Sequence, residues 1–366
     1  MNIALVVPGG VDRSGEVRVI PALLWLIKRL ASRHRLRVFA YAQEAAPARW
    51  MLEGAEVINI GTPLRLARAC LAIVREHRVE PFDVIHAIFA GAPGLVATAA
   101  GRLLRVPVLV HLAGGELVAL NQIGYGGALR WRSRAANRFT AANAASLTVA
   151  SAPMLALAER NGMLARRVPL GVDIKCWPPH EPRRRAATEV PRLLHIASIN
   201  RVKNPELLLH AAALLRESGQ PLHLDMIGED TRGGEIQRLA TRLGISAQVT
   251  CHGFRTQAQL RPLVETAHVH VVSSFHEAGP LAMLEAAVAG VPTVGTAVGH
   301  VVEWAPEAAV CVDGFEPAAL AAGLARVIAD EPLRMRLAQA AQRRAIAENA
   351  DVTARLFEEC YASVRG

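Results

Sequence analysis

Two carboxylates eight residues apart in an otherwise apolar run are the groups in this sequence that most need a chemical reason. "HEAGPLAMLEAAVAGVP" runs from His276 to Pro292, with Glu277 near its start and Glu285 in its middle. Leu281, Met283, Leu284, Ala286 and Val288 surround Glu285 with hydrocarbon. A helix through them is apolar on nearly every side and must be buried. A carboxylate inside it needs donors, because an unpaired buried charge is strongly unfavourable. Those donors are either an arginine of the protein or the hydroxyl groups of a ligand, and the spacing alone leaves both open.

The residues between the two acids say how they are placed. Pro280 suits a first helical turn, where its missing N–H is no loss, with Gly279 as the cap. Gly290, with Pro292 behind it, closes the helix. Glu277 then lies on the loop before the helix and Glu285 inside it. A helix N-terminus offers free amides and a positive dipole end to an anion. Amides for phosphate beside a carboxylate for vicinal hydroxyls suggest a nucleotide. In the plainer alternative Glu285 pairs with a core arginine and Glu277 caps the helix.

The elements that must carry this segment are α/β in pattern. "NIALVVP", "LRVFAYA", "AEVINI", "DVIHAIFA", "VPVLVHLAG", "ASLTVAS" and "RRVPLGVD" are short apolar runs, and helical stretches such as "VIPALLWLIKRLASRH", "LRLARACLAIVREHR" and "GLVATAAGRLL" separate the earlier ones. That alternation implies βα units and a parallel sheet. "WPPHEPRRRAATEVP" (177–191) has no apolar period and reads as an exposed linker. The alternation then restarts with "RLLHIAS", "LHLDMIG", "QVTCHG", "HVHVVSS", "PTVGTA" and "AAVCV", and two long helices are expected to close the chain. The domain expectation is a first unit at 1–170, a linker at 171–191, a second unit at 192–348 and a closing helix at 349–366.

Composition narrows the function classes. A 52% hydrophobic chain of 366 residues has ample core for two domains. The net charge of +9 favours polyanionic partners such as phosphorylated substrates or anionic lipid. Nucleic acid is not expected, since no recognised module is present and only 4% of residues are aromatic. Cys70, Cys176, Cys251, Cys311 and Cys360 form no CxxC pair, which points away from a structural metal and toward a reducing compartment. With no signal-peptide pattern and no run of about 18 apolar residues, the expected location is cytoplasmic. "LRWRSRAANRF" (129–139) and "RLARACLAIVREHR" (65–78) mix arginines with apolar residues. They read as ordinary solvated helix faces or as surfaces resting peripherally on the inner face of an anionic membrane.

The stretch "SSFHEAGPLAMLEAAVAGVPTVGTAVGHVVE" resembles the E-x7-E motif of glycosyltransferase family four, retaining sugar transferases of the GT-B fold. "RVPLGVD", "ASINRVKNPELLLHA" and "CHGF" resemble other segments of that family and follow in its order. The resemblance implies an α/β fold of two Rossmann-like domains facing across a cleft, with the last helix returning to the first domain. It implies a hexosyltransferase that moves a sugar from a nucleoside diphosphate donor, UDP- or GDP-linked, to a glycan or lipid-linked acceptor, as in polysaccharide biosynthesis. Glu285 would accept from the ribose hydroxyls, and Glu277 would hold the donor sugar near its anomeric carbon as the catalytic residue. Lys203 would neutralise the diphosphate, the amides around Gly279 and Leu281 would meet diphosphate or sugar oxygens, and Gly253 and Phe254 would lie along the base. No D-x-D pair occurs, so no metal or other cofactor is expected.

Two departures from the family's pattern bear on activity. Ala197-Ser198 stands where the family often has Gly-Arg, and Arg201 nearby is the candidate to restore that charge. In "VHLAGGEL" Ala113 stands where the family commonly has histidine, with Gly114, Gly115 and Glu116 retained. His111 is two residues away and on a strand points to the same side, either to serve in its place or as a core histidine. His86, expected at a strand end facing the cleft, and Gly15, in the glycine loop from Pro8 to Glu16, complete the acceptor-side candidates with Glu116. The alternative reading is a degenerate relative that binds a nucleotide sugar or a partner without turnover. An epimerase or phosphorylase of the same fold is the third.

Overall fold

The computed structural model describes residues 1–62 and 65–365. Pro63, Leu64 (the expected first residue of a helix) and Gly366 lie outside the described residues. The first part of the chain runs β1 (Asn2–Val7), α1 (Pro21–Ala31), β2 (Arg35–Ala40), β3 (Ala48–Leu52), β4 (Ala55–Asn59), α2 (Arg65–Val79), β5 (Val84–Ile88), α3 (Ala92–Leu104), β6 (Val108–Leu112), α4 (Trp131–Asn143), β7 (Ser146–Val149), α5 (Ala152–Arg160) and β8 (Arg166–Arg167). The second part runs β9 (Arg192–Ile196), α6 (Pro205–Glu217), β10 (His223–Ile227), α7 (Glu235–Arg242), β11 (Val249–Gly253), α8 (Gln257–Glu265), β12 (Val269–Val272), α9 (Leu281–Val288), β13 (Thr293–Thr296), α10 (Gly299–Trp304), β14 (Ala309–Val312), α11 (Pro317–Ala329) and α12 (Glu331–Ala347), and α13 (Ala350–Arg365) follows.

Two compact units result, one of residues 1–171 with α13 and the other of residues 172–349. The first holds a sheet in the order β3-β4-β2-β1-β5-β6-β7-β8, parallel except for β3. Ile3, Leu5 and Val7 of β1 pack with Leu26, Ile27 and Leu30 of α1 and with Phe357 and Tyr361 of α13 in its core. The second holds a wholly parallel sheet in the order β11-β10-β9-β12-β13-β14. Its core joins Leu193, Leu224, Val271 and Val294 to α6 and α11.

Three sequence expectations change. The antiparallel edge strand β3 went unread because its burial alternates weakly at the margin of the sheet. Helices α11, α12 and α13 close the chain where two were expected. Asp330 starts α12 directly after α11 by accepting from the Leu333 amide. The stretch read as an exposed linker is largely exposed, but it belongs to the second unit and is tied to it at several points. Trp177 is only 2% exposed, Arg183 bonds Glu189 and His268, and Arg185 bonds the carbonyl of Ile328. Its polarity is met by partners from distant parts of the chain, which a local composition test does not register.

Candidate functional site

In an open α/β sheet, ligands meet the loops at the carboxyl ends of the strands, and in the second unit those loops carry the paired acids and the lysine. Beyond β9 the chain turns through residues 201–203, with the Asn200 side chain accepting from the Lys203 amide at 3.2 Å. Asn204 adopts a left-handed conformation, φ 48°, and Pro205 opens α6. The loop beyond β12 is stitched to this turn. Ser273 Oγ donates to the Lys203 carbonyl at 2.9 Å, and the Phe275 amide donates to that of Val202 at 2.8 Å. Lys203 Nζ then reaches Glu277 Oε1 at 2.6 Å, and Ser274 Oγ donates to the same oxygen at 2.6 Å.

The loop beyond β13 joins them. Thr296 Oγ1 donates to the Ser274 carbonyl at 2.7 Å. Gly299, at φ 46°, lies so close that a Cβ would come within 2.9 Å of Pro280 Cδ and 3.1 Å of the Glu277 carbonyl. A side chain there would push the loop and its carboxylate out of place. Below the ion pair, His195 is buried, its Nδ1 3.1 Å from the Val271 carbonyl and its Nε2 without a partner. Burial, aided by the Lys203 charge, depresses its pKa to about 4, so the ring is neutral.

Glu285 lies in α9, which begins at Leu281 with Pro280 rather than Gly279 at the cap. Gly290, at φ 78°, follows the helix as expected. Glu285 is 3% exposed. Burial pushes its carboxyl up to about 8, and the nearby Gln257 amide opposes that. Its Oε1 has no partner, and no described arginine or lysine pairs with it. Gln257 in turn accepts from Trp177 Nε1.

The remaining donor-side candidates sit at neighbouring strand exits. Arg201 is exposed and makes no ion pair among the described residues. Gly253 ends β11 at φ 67°, followed by Phe254, 49% exposed. Gly279 and Leu281 flank Pro280, both half-buried. Lys203 and Glu277 are thus brought into contact, whereas Glu285 lies buried inside α9. Asn200, Ser274, Gln257, Trp177 and His195 went unread. The cap spacing of Asn200 to Lys203 was a usable signal, but nothing local ties Gln257 to Glu285.

In the first unit one candidate is corrected, and a second takes the plainer of its two expected places. His86 is the third residue of β5, not a strand-end group facing a cleft. It is fully buried, with Nδ1 2.7 Å from the Tyr361 hydroxyl. His111 takes the second of its two expected places, that of a core histidine. It is buried with Nδ1 2.9 Å from Thr148 Oγ1 and its ring edge-on to Phe357, and burial lowers its pKa to about 3. In both cases α13 packs against residues that strand position alone would leave open. Glu116 is buried and accepts from the amides of Ala90 at 3.2 Å and Gly114 at 2.8 Å, so it clamps the exits of β5 and β6 together. Gly15, at φ 69°, donates to the Asp12 carbonyl at 3.0 Å. The same loop is closed on itself by Asp12, which accepts from the Ser14 amide and pairs with Arg18.

Family comparisons cover both units. Residues 180–344 match the family model described as glycosyl transferases group 1, and residues 19–171 match that of a glycosyl transferase 4-like domain. The chain belongs to the GT4-type glycosyltransferases. Over 185 residues this GT4-type chain is 35% identical to a D-inositol 3-phosphate glycosyltransferase of Thermomonospora curvata, a match covering 47% of the chain and 43% of that relative. Over 184 residues it is 32% identical to an MMP alpha-(1->4)-mannosyltransferase of Mycolicibacterium hassiacum, covering 49% of the chain and 43% of that relative. The matches therefore span under half the length of these relatives. Sucrose-phosphate synthase from Thermosynechococcus elongatus superposes with a TM-score of 0.81 at 20% identity, over 100% of this chain and 99% of that one. Anabaena Alr3699/HepE in complex with UDP-glucose gives 0.77 at 18% identity, over 99% of this chain and 100% of that one. At such identities the likeness establishes the fold alone, and that fold is GT-B.

Proposed function

We propose that this GT4-type chain moves a hexosyl group from a nucleoside diphosphate sugar to a glycan or lipid-linked acceptor, with retention of anomeric configuration. One observation carries the reading: Glu285 is buried with an unpartnered oxygen and no cation beside it. A carboxyl kept so has no structural use that the fold supplies, whereas two vicinal ribose hydroxyls would complete its hydrogen bonds. The solved HepE structure holds UDP-glucose in a GT-B fold, which supports UDP as the first nucleotide to try.

In this reading the Lys203–Glu277 pair is the reactive end of the site. The transition state of glycosyl transfer has oxocarbenium character, and negative charge grows on the departing diphosphate. Lys203, with Arg201 free on the same turn, favours that charge more in the transition state than in the ground state. Glu277 faces the sugar, where its carboxylate orients hydroxyls close to the anomeric carbon. These cations do the work without a metal. The family matches do not favour a chain that binds without turnover.

The exposed faces of α2 and α4 support peripheral contact with an anionic membrane, as suits a lipid-linked acceptor. Leu71 and Trp131 stand out into solvent on them, and the Arg132 guanidinium lies 5.4 Å from the Trp131 ring centre. Among the described residues no helix is long and apolar enough to cross a membrane.

A thermal-shift screen of UDP-, GDP- and ADP-sugars tests the central reading, since a ligand bound only by the folded chain raises its melting temperature. One nucleotide class should raise it in the wild type and not in Glu285→Ala. No shift with any of them would reject the reading.

A further inference from the structure

We propose that the cleft between α2 and the β3–β4 edge of the first unit binds a phosphorylated aliphatic amphiphile, the lipid end of a lipid-linked acceptor. The inference deepens the lipid-linked half of the proposed reaction and rests on that reading for its role.

The cleft follows from how α2 is seated. The helix packs against α3 and buries Ala69, Ile73 and Val74. Arg68, Leu71, Ala72 and Arg75 recur at three- and four-residue steps and so share an adjoining face. Between that face and the strands lies a cavity of about 480 Å³, a size within the roughly 300–1,000 Å³ of small-molecule sites. Pro47, Ile58 and Ile60 line its strand side. Ala48 pairs with Asn59, the last residue of β4. This end of the cleft therefore lies at a strand exit, where ligands meet an open α/β sheet.

The charges of the cleft favour an anion. Among the described residues that line it, the only carboxylate is Glu76, which Arg49 and Arg37 already meet. Nearby Glu56 and Glu80 are likewise met by Arg49 and Arg35. Arg75 is exposed and makes no ion pair among the described residues. Arg68 lies two turns earlier on the same face, about 10 Å along the axis. Guanidiniums on long stems at that separation can reach the oxygens of one phosphate from both sides. Between them Leu71 is 66% exposed, so charge and hydrocarbon are offered together. No aromatic ring is among the described lining residues to stack a nucleobase, and the apolar part that fits is aliphatic. Inorganic phosphate alone would leave the apolar wall uncovered.

The test uses the full chain and calorimetry, with dihexanoyl phosphatidic acid, dihexanoyl phosphatidylcholine and inorganic phosphate as probes. Phosphatidic acid should bind. The other two should bind about tenfold more weakly or less, one for want of net charge and the other for want of hydrocarbon. Arg75→Ala trims an exposed side chain, so the fold should be unaffected, and it should weaken phosphatidic acid about fivefold. Ala72→Trp fills the cavity without changing charge and should weaken it about tenfold. Arg78→Ala, exposed on the same helix but outside the lining, should leave affinity within about twofold. The cleft is wrong if phosphatidic acid does not bind, or if inorganic phosphate binds as well as the amphiphile. It is also wrong if Arg78→Ala costs as much as Arg75→Ala, since the attraction is then diffuse. Should Ala72→Trp fold poorly by its melting curve, Arg75→Ala against Arg78→Ala decides the matter. The nucleotide response in the thermal-shift screen should be unchanged in Arg75→Ala. Its absence from the wild type would reject the transfer reading and the acceptor role of the cleft, whereas loss of phosphatidic acid binding alone rejects the cleft and leaves the nucleotide reading standing.

Discussion

Glu285→Gln should alter how stability depends on pH, and the size of the effect follows from the burial of this one carboxyl. In the unfolded chain the group titrates near 4.5, and in the folded chain near 8. Between those values the native state keeps a proton that the unfolded state has released. Stability is therefore fully present below pH 4.5 and falls as pH rises toward 8. At about 1.4 kcal/mol per pH unit, the decline is about 5 kcal/mol across the whole window and about 4 kcal/mol between pH 5 and pH 8. Glutamine has nearly the same shape and does not ionise, so the variant should lack this slope. Urea unfolding of both proteins at pH 5, 6.5 and 8, at one ionic strength, measures it. The advantage of the variant over the wild type should grow by several kcal/mol, about 3 to 5, from the lowest pH to the highest. A difference that stays constant would mean that Glu285 titrates alike in the folded and unfolded chains, and the argument that burial desolvates this carboxyl would fail.

Two further outcomes are expected. Glu277→Gln should leave nucleotide affinity within about threefold and lower transfer or donor hydrolysis by about a hundredfold or more, because its interaction is made with the reacting sugar; an unchanged turnover would remove Glu277 from the chemistry. Tyr361→Phe leaves the buried His86 Nδ1 without its 2.7 Å partner and should destabilise the first unit by about 1–3 kcal/mol with nucleotide affinity unchanged, a combination that urea unfolding and calorimetry check together.

Much of the architecture was readable because it is written in local patterns. Apolar runs of strand length between helical periods marked both sheets, and Gly290 with Pro292 ended α9 where turn chemistry said it should. Glu277 and Glu285 were found because their spacing falls within one loop and one short helix. His86 was misplaced for a definite reason: its strand was recognised, but Tyr361, on the helix that covers it, comes 275 residues later. Residues 177–191 stay largely exposed, as read, but the partners that tie Arg183 and Arg185 down, His268 and Ile328 among them, lie far away in sequence.

Chain-local physics thus specified the α/β class, the two-unit division and a helix carrying a lone acid, because periodicity, capping and proline or glycine punctuation act over a few residues. The state of that acid was beyond its reach. Whether Glu285 would meet a guanidinium or an amide depended on which distant side chains fold up beside it, and folding brought Gln257 near. Lys203 and Glu277, 74 positions apart, likewise became a pair only once the exits of β9 and β12 lay side by side in the sheet. Desolvation and hydrogen-bond partnership are properties of a packed neighbourhood, and a neighbourhood is assembled from segments that the linear order keeps apart.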